Sequence, residues 1–409
     1  MDRRQFIQSA LMMSCCSGLN PLASSISLAA TQSNNRLVVI ILRGAMDGMD
    51  VVRPVGEADF RKYRPNATPQ GEHDLNGFFR LHPALSKLMP LWNNGELAFA
   101  HAVSTPYRDK RSHFDGQNLL EAGVFAQPDN SETIDSSTTG WMNRALLYLP
   151  GAHGTTAYAV GLDQHVIMQG PAPYSKWTPG QALPISADTR HLLQKIYSKD
   201  EIFNKALSKA IEITNKTELA AAGSGAGMMM GNSVTEHLLL GDRMIRNAEN
   251  LASFTAEKLN GDSRLAVFSL GGWDTHTTQH RTMPMVLAPL ETAIMTLRSA
   301  LGRNWSNTAV MCVTEFGRTA LENGARGTDH GTGSAIIMAG GAIKGGRIIT
   351  KWPGIKTEDL YQGRDLMPTM DVRLFLASAL NDLFQIDSSK IERDIFPSIS
   401  IKDAPKIIL

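Results

Sequence analysis

Between Gly271 and Gly333 the chain gathers most of the side chains that could do chemistry. Gly271-Gly272-Trp273-Asp274-Thr275-His276 is followed by Thr314-Glu315-Phe316-Gly317-Arg318-Thr319, and then by Gly327-Thr328-Asp329-His330-Gly331. With Asp47 and His280, the residues Asp274, His276, Glu315, Asp329 and His330 offer the mixed oxygen and nitrogen ligands that Zn²⁺, Mn²⁺ or a similar divalent ion accepts. Asp274 and His276 are two residues apart, so on a strand they share a face, whereas on a loop they converge freely. For any one of these histidines the competing reading is a hydrogen-bonded structural role.

A second constellation lies earlier, where Ser112, His113 and Asp115 stand at a strand-to-helix junction beside Arg108 and Arg111. The N–H groups at a helix start stabilise a developing anion. Ser112, with His113 next to it, therefore reads either as a nucleophile in catalytic company or as a plain N-cap.

Strands and helices must carry these groups to one place. Arg36–Leu42 is a continuous apolar, β-branched run, the mark of a strand buried on both faces of a parallel sheet. It ends in Arg43-Gly44-Ala45-Met46-Asp47-Gly48, and a carboxylate just past a central strand is where α/β proteins place ligands. Asp47 as a helix cap or turn residue is the alternative. Further strands are predicted at 96–103, 157–160, 264–270, 309–313, 334–341 and 346–350. Helices are predicted at 78–93 (interrupted by Pro83 and Pro90), 188–197, 200–215, 234–258, 283–302 and 371–383, with a helical run at 117–122. Strand, helix and strand over 264–313 form a crossover with parallel strands. The sum is an α/β chain with a mostly parallel central sheet, helices on both faces and its polar ends on one edge.

The sequence has 409 residues, of which 43% are hydrophobic, enough for one large core. Forty basic and 39 acidic residues leave a net charge of +1, so no global field draws the chain to nucleic acid or anionic lipid. Arg3-Arg4-Gln5-Phe6-Ile7, the apolar Ala10-Leu11-Met12-Met13 and Ser27-Leu28-Ala29-Ala30 have the order of a twin-arginine signal peptide over 1–30. The expectation is export through the twin-arginine machinery to the periplasm or beyond, with cleavage after Ala29 or Ala30. No other stretch reaches the roughly 18 apolar residues of a spanning helix. Cys15 and Cys16 fall inside the signal, Cys16 being a possible point of lipidation, and Cys312 alone cannot form an internal disulfide. A variable cap or insert is expected around 125–260, with a hinge at the glycine- and methionine-rich 220–231.

The order of the twin-arginine signal, Leu42-Arg43-Gly44-Ala45-Met46-Asp47-Gly48, Arg111-Ser112-His113-Phe114-Asp115, Gly271–His276, Thr314–Thr319 and Gly327–Gly331 resembles the exported family called domain of unknown function 1501. The resemblance spans essentially the whole chain after the signal and makes residues 31–409 a single domain. That family is similar to the alkaline phosphatase and sulfatase superfamily, which implies a three-layer α/β/α sandwich holding one or two divalent metals. By this resemblance Asp47 is the first-strand metal ligand and Ser112 the nucleophile. Asp274 with His276 or His280 binds a metal together with His330, and Glu315 replaces the aspartate of an Asp-His-Gly motif. Phe316 departs from the pattern, standing where the superfamily has a histidine, and this counts against a second metal. The implied activity is hydrolysis of a phosphate or sulfate ester, small or polymeric: Ser112 attacks, and Arg318, with Arg43 or Arg111, holds the anionic oxygens. Two other readings stay open, a non-catalytic periplasmic binding or assembly protein and a metal-free serine esterase.

Overall fold

Every residue of the first strand, β1 (Arg36–Leu42), is buried. Alternation sends Val38, Ile40 and Leu42 into one core and Leu37, Val39 and Ile41 into another. A strand with two apolar faces needs a cover on each, which is why it sits in the middle of the sheet. Burial stabilises each of these aliphatic side chains by about 1.5–3 kcal/mol.

The computed structural model describes residues 34–67, 70–124, 139–179, 195–196 and 234–409. The expected signal at 1–30, the glycine–methionine stretch at 220–231, the helix at 200–215 and most of that at 188–197 lie outside the described residues.

The remaining strands of the main sheet are β2 (Leu97–Ser104), β3 (Ala157–Val160), β4 (Ser175–Trp177), β5 (Leu265–Leu270), β6 (Thr308–Val313), β7 (Ser334–Ala339), β8 (Arg347–Ile349) and β9 (Met370–Asp371). Their order is β8-β2-β7-β6-β1-β5-β3-β4, with β9 also pairing with β2. Helices α2 (Val234–Leu259) and α3 (Gln279–Leu301) cover one face. Helices α1 (His113–Ala122) and α4 (Val372–Phe384), with the short helix Trp141–Leu146, cover the other. The result is the expected three-layer α/β/α sandwich. Within the expected insert, β3 and β4 extend the sheet and α2 packs on it.

Register brings the chemistry together. Leu42 of β1 pairs with Leu270 of β5, and Ile41 with Val313 of β6, all in parallel, so the loops after these strands leave from one level. β7 runs antiparallel to both β6 and β2. A parallel neighbour needs a helical crossover, whereas the chain returns from β6 to β7 through the loop 314–333 with no helix. β7 thus begins at the edge where its parallel neighbours end, and His330 stands four residues before it.

Local differences from the predicted elements have physical causes. α1 starts at His113 rather than 117 because Ser112 caps it, its hydroxyl accepting from Asp115 N at 3.3 Å. The predicted helix 78–93 divides into a two-residue strand at Arg80–Leu81, a 3₁₀ helix at Pro83–Leu88 and a helix at Met89–Asn93. Leu85, with non-helical backbone, marks a kink within the 3₁₀ helix. Among the described residues no helix is long and apolar enough to cross a membrane.

Candidate metal centre

Three imidazoles and one carboxylate converge at the carboxyl edge of the sheet. His113 comes from the first residue of α1, Asp274 and His276 from the loop after β5, and His330 from the loop before β7. His113 Nε2 lies 2.9 Å from His330 Nε2, His330 Nε2 lies 3.1 Å from Asp274 Oδ1, and His113 Nε2 lies 3.6 Å from Asp274 Oδ1. His276 Nε2 approaches His330 Nε2 and Asp274 Oδ1, each at 3.0 Å.

The outer nitrogens decide what faces inward. His113 Nδ1 donates to Glu315 Oε1 at 2.8 Å, His330 Nδ1 to the Arg111 carbonyl at 3.0 Å and His276 Nδ1 to Asp329 Oδ1 at 3.4 Å. A neutral imidazole that donates through Nδ1 presents a lone pair at Nε2. Three lone pairs and an anionic oxygen therefore point at one another, an arrangement that is repulsive until a cation or protons enter. Histidines pinned from behind in this way are the usual outer support of a metal site. Tetrahedral bonds of about 2.0–2.1 Å separate ligand atoms by roughly 3.3 Å, and the separations of 2.9, 3.1 and 3.6 Å among His113, Asp274 and His330 surround that value. The residues fit a divalent ion.

Electrostatics agree with a crowded, partly buried centre. The hydrogen bond to Glu315 raises the pKa of His113, whereas burial and then the neighbouring His113 lower that of His330. Burial alone raises a carboxylate pKa, yet Arg318 holds Asp274 below its ordinary value. Glu315, fully buried, is likewise pushed up by burial and brought below its ordinary value by its donors, His113 and Gln117 foremost.

The other predicted residues fall around this centre. Glu315 Oε1 accepts from Gly44 N at 2.9 Å and Gln117 Nε2 at 3.0 Å as well as from His113. Gly44 makes the first contact possible: its φ is +118°, and a Cβ there would lie 2.6 Å from Asp274 N. Asp329 is exposed and accepts from Asn323 at 2.9 Å, orienting His276 rather than joining the cluster. The structure keeps Asp47 apart as well. Its carboxylate caps the turn at Gly48–Val51 and is held by the Arg64 guanidinium and by Gln279 Nε2 at 2.7 Å. Arg318 donates to Asp274 Oδ1 through Nη1 at 2.7 Å and to Thr328 Oγ1 through Nε at 3.2 Å, while its buried Nη2 has no partner. Arg43 is committed to Gln117, Ser269 and Glu121, and Arg111 approaches Asp365 at 3.6 Å. Thr105 donates to the Glu315 carbonyl, and His280 has a buried, unpartnered Nδ1.

The sequence pattern places His113 beside the nucleophile rather than among the ligands, and it does not single out Gln117, Arg64, Gln279 or Thr328. His113 and Gln117 are separated by one helical turn, a spacing that puts both on the face toward Glu315 and could have flagged them. Arg64 carries no comparable signal.

The molecule is thus an α/β/α sandwich with a histidine–carboxylate cluster at the carboxyl edge of its sheet. The model of the family described as "Protein of unknown function (DUF1501)" matches residues 115–395, well over half of the chain, and the chain belongs to that family. No curated protein matches it. Among solved structures it is similar to Ps i-CgsB, with 11% identity over 90% of this chain and 75% of that chain and a TM-score of 0.42. It is also similar to BT1596, a 2-O GAG sulfatase, with 10% identity over 91% and 74% of the two chains and a TM-score of 0.40. A protein in the alkaline phosphatase superfamily from Vibrio parahaemolyticus is similar at 13% identity over 78% and 64% of the two chains, with a TM-score of 0.36. At these TM-scores the likeness carries no argument about the site, whose reading rests on its own geometry.

Proposed function

We propose that this protein is an exported, metal-dependent hydrolase of phosphate or sulfate esters. One observation carries the reading: three histidines, each tied through Nδ1 to an outer acceptor, turn their Nε2 lone pairs onto Asp274 Oδ1. His113, Asp274 and His330 would hold the ion, with His276 beside them. When bound, a divalent ion supplies Lewis acidity to the oxygens of the ester.

The chain supplies the rest. Arg318 is fixed on two sides and keeps one buried amino group without a partner, which suits it to hold an oxygen of a tetrahedral anion. The hydroxyl of Ser112 caps the start of α1, accepting from Asp115 N at 3.3 Å, and we assign the nucleophile to water and leave Ser112 the cap. The direction of His113 argues against a metal-free serine esterase, because its Nε2 faces His330 Nε2 and Asp274 Oδ1. Arg3-Arg4 and the apolar stretch behind them support the reading of export.

The test is elemental analysis of protein purified without chelator, followed by turnover of aryl phosphate, aryl sulfate and carboxylic ester substrates before and after chelation. We expect one divalent ion per chain and chelator-sensitive hydrolysis of an anionic ester. Protein without metal would refute the metal centre. Metal without turnover of any of these esters would leave a non-catalytic binding protein.

A further inference from the structure

We propose that Gln279 and Thr328 are positioning residues whose hydrogen-bond relay orients Arg318 to hold a tetrahedral oxoanion; this rests on the hydrolase reading above. The relay has a fixed direction. Gln279 Nε2 donates to Asp47 Oδ2 at 2.7 Å and to Asp50 Oδ2 at 2.9 Å, and two carboxylates admit only the amide nitrogen. Its Oε1 must then face the other way, where it accepts from Thr275 Oγ1 at 2.8 Å and Thr328 Oγ1 at 2.7 Å. A threonine hydroxyl has one proton, and Thr328 gives it to Gln279. Only a lone pair remains toward Arg318, and Nε donates to it at 3.2 Å.

The anchors are themselves immobile. Arg64 clamps Asp47, and Arg53 Nη2 holds Asp50 Oδ1 at 2.6 Å. Gln279 is 4% exposed, Thr328 0% and Arg318 1%, so water does not compete for these bonds. A guanidinium is planar, and contacts at Nε and at Nη1, the latter on Asp274 at 2.7 Å, fix both its plane and its rotation. The group left over is Nη2, which shares the Asp274 end of the guanidinium and has no partner. Leaving a buried donor unmet costs stability. An oxoanion oxygen of the ester, bound at the neighbouring histidine cluster, would meet it.

Calorimetric titration of the full-length protein, carrying its own metal, with inorganic phosphate tests the relay. T328V keeps the shape of the side chain but removes the lone pair and should weaken phosphate binding about tenfold. T328S restores the hydroxyl and should bind within about threefold of wild type, with metal content unchanged across the set and the unfolding midpoint lowered only in T328V, where Arg318 Nε loses its acceptor. Should T328V not fold, T328A is read in its place. Wild-type affinity in T328V, or equal losses in T328V and T328S, would overturn the relay. R318K separates the two levels of the argument: if it binds phosphate as wild type does, or if wild type binds none, the oxoanion role of Arg318 fails. A loss in R318K without one in T328V defeats only the relay.

Discussion

Replacing Glu315 by glutamine tests whether the centre is built from behind. Glu315 is fully buried, and its Oε1 receives Gly44 N, Gln117 Nε2 and His113 Nδ1 at 2.9, 3.0 and 2.8 Å. Its other oxygen lies 3.0 Å from Thr314 Oγ1. Glutamine keeps the shape and one acceptor oxygen. Its amide nitrogen can face Thr314, whose hydroxyl already reaches the Leu42 carbonyl at 2.8 Å. What disappears is the charge behind the His113 imidazole. A hydrogen bond to an ionised partner contributes about 1.5–3 kcal/mol and a neutral one about 0.5–1.5, so roughly 1–2 kcal/mol is withdrawn from the orientation and basicity of His113.

If His113 holds the ion, that loss appears in metal affinity as a factor of roughly 5–30, overlapping the range of about 10–100 for removal of an outer partner of a metal-bound histidine. Competition against a chromophoric chelator measures it, with thermal unfolding of the metal-free protein as the control for folding. E315Q should lose affinity while its metal-free form unfolds close to wild type. Unchanged affinity would mean that Glu315 does not support a ligand, and His113 would leave the proposed set. A variant that no longer folds without metal would instead assign Glu315 to the structural core.

Two further outcomes follow from the geometry. Ser112→Ala removes an N-cap and should cost about 1 kcal/mol in denaturant unfolding while leaving ester hydrolysis intact; loss of hydrolysis in a folded protein would return Ser112 to the nucleophile's place. His82, His101 and His165 are each pushed by burial from an ordinary value of 6.5 to about 4, so the unfolded chain binds more protons than the folded one across that interval. Stability should be complete above about pH 6.5 and fall progressively toward pH 4, and urea midpoints that stay level over that window would contradict the assignment.

Much of the fold was legible because apolar runs with β-branched residues are unambiguous when a strand has two buried faces. Arg36–Leu42, Leu265–Leu270 and Thr308–Val313 all read that way. The direction of β7 was not legible, since it depends on whether the connection crosses the sheet, a property of the loop 314–333 rather than of the strand. The site divides similarly. Loops after central strands announced Asp274, His276, Glu315 and His330 by residue type. What each carboxylate does was hidden, because its donors arrive from far away in the chain: Gly44 reaches Glu315 across 271 residues, and Gln279 reaches Asp47 across 232. Ser112 and His113 are neighbours, so placing the helix start decides which one caps the helix and which one faces the cluster.

The surroundings of the centre also argue for one ion rather than two. Phe316 is 2% exposed and stacks on His113, with ring centroids 5.1 Å apart and planes 23° apart; it also packs on Tyr107 and His330. Room for the ring comes from Gly116, where a Cβ would lie 2.9 Å from Phe316 Cδ1. An apolar ring therefore packs against two of the cluster's imidazoles and offers no ligand atom. The two carboxylates that a second ion would use are already neutralised by the protein. Glu315 is surrounded by donors, and Asp47 faces the Arg64 guanidinium, which also donates to the Thr319 and Ala320 carbonyls at 2.9 and 2.8 Å. A buried carboxylate needs a positive partner, and an arginine fixed by two backbone oxygens satisfies that need as a cation would. Displacing Arg64 from Asp47 would strand a guanidinium that is 1% exposed, at a cost of about 3–5 kcal/mol.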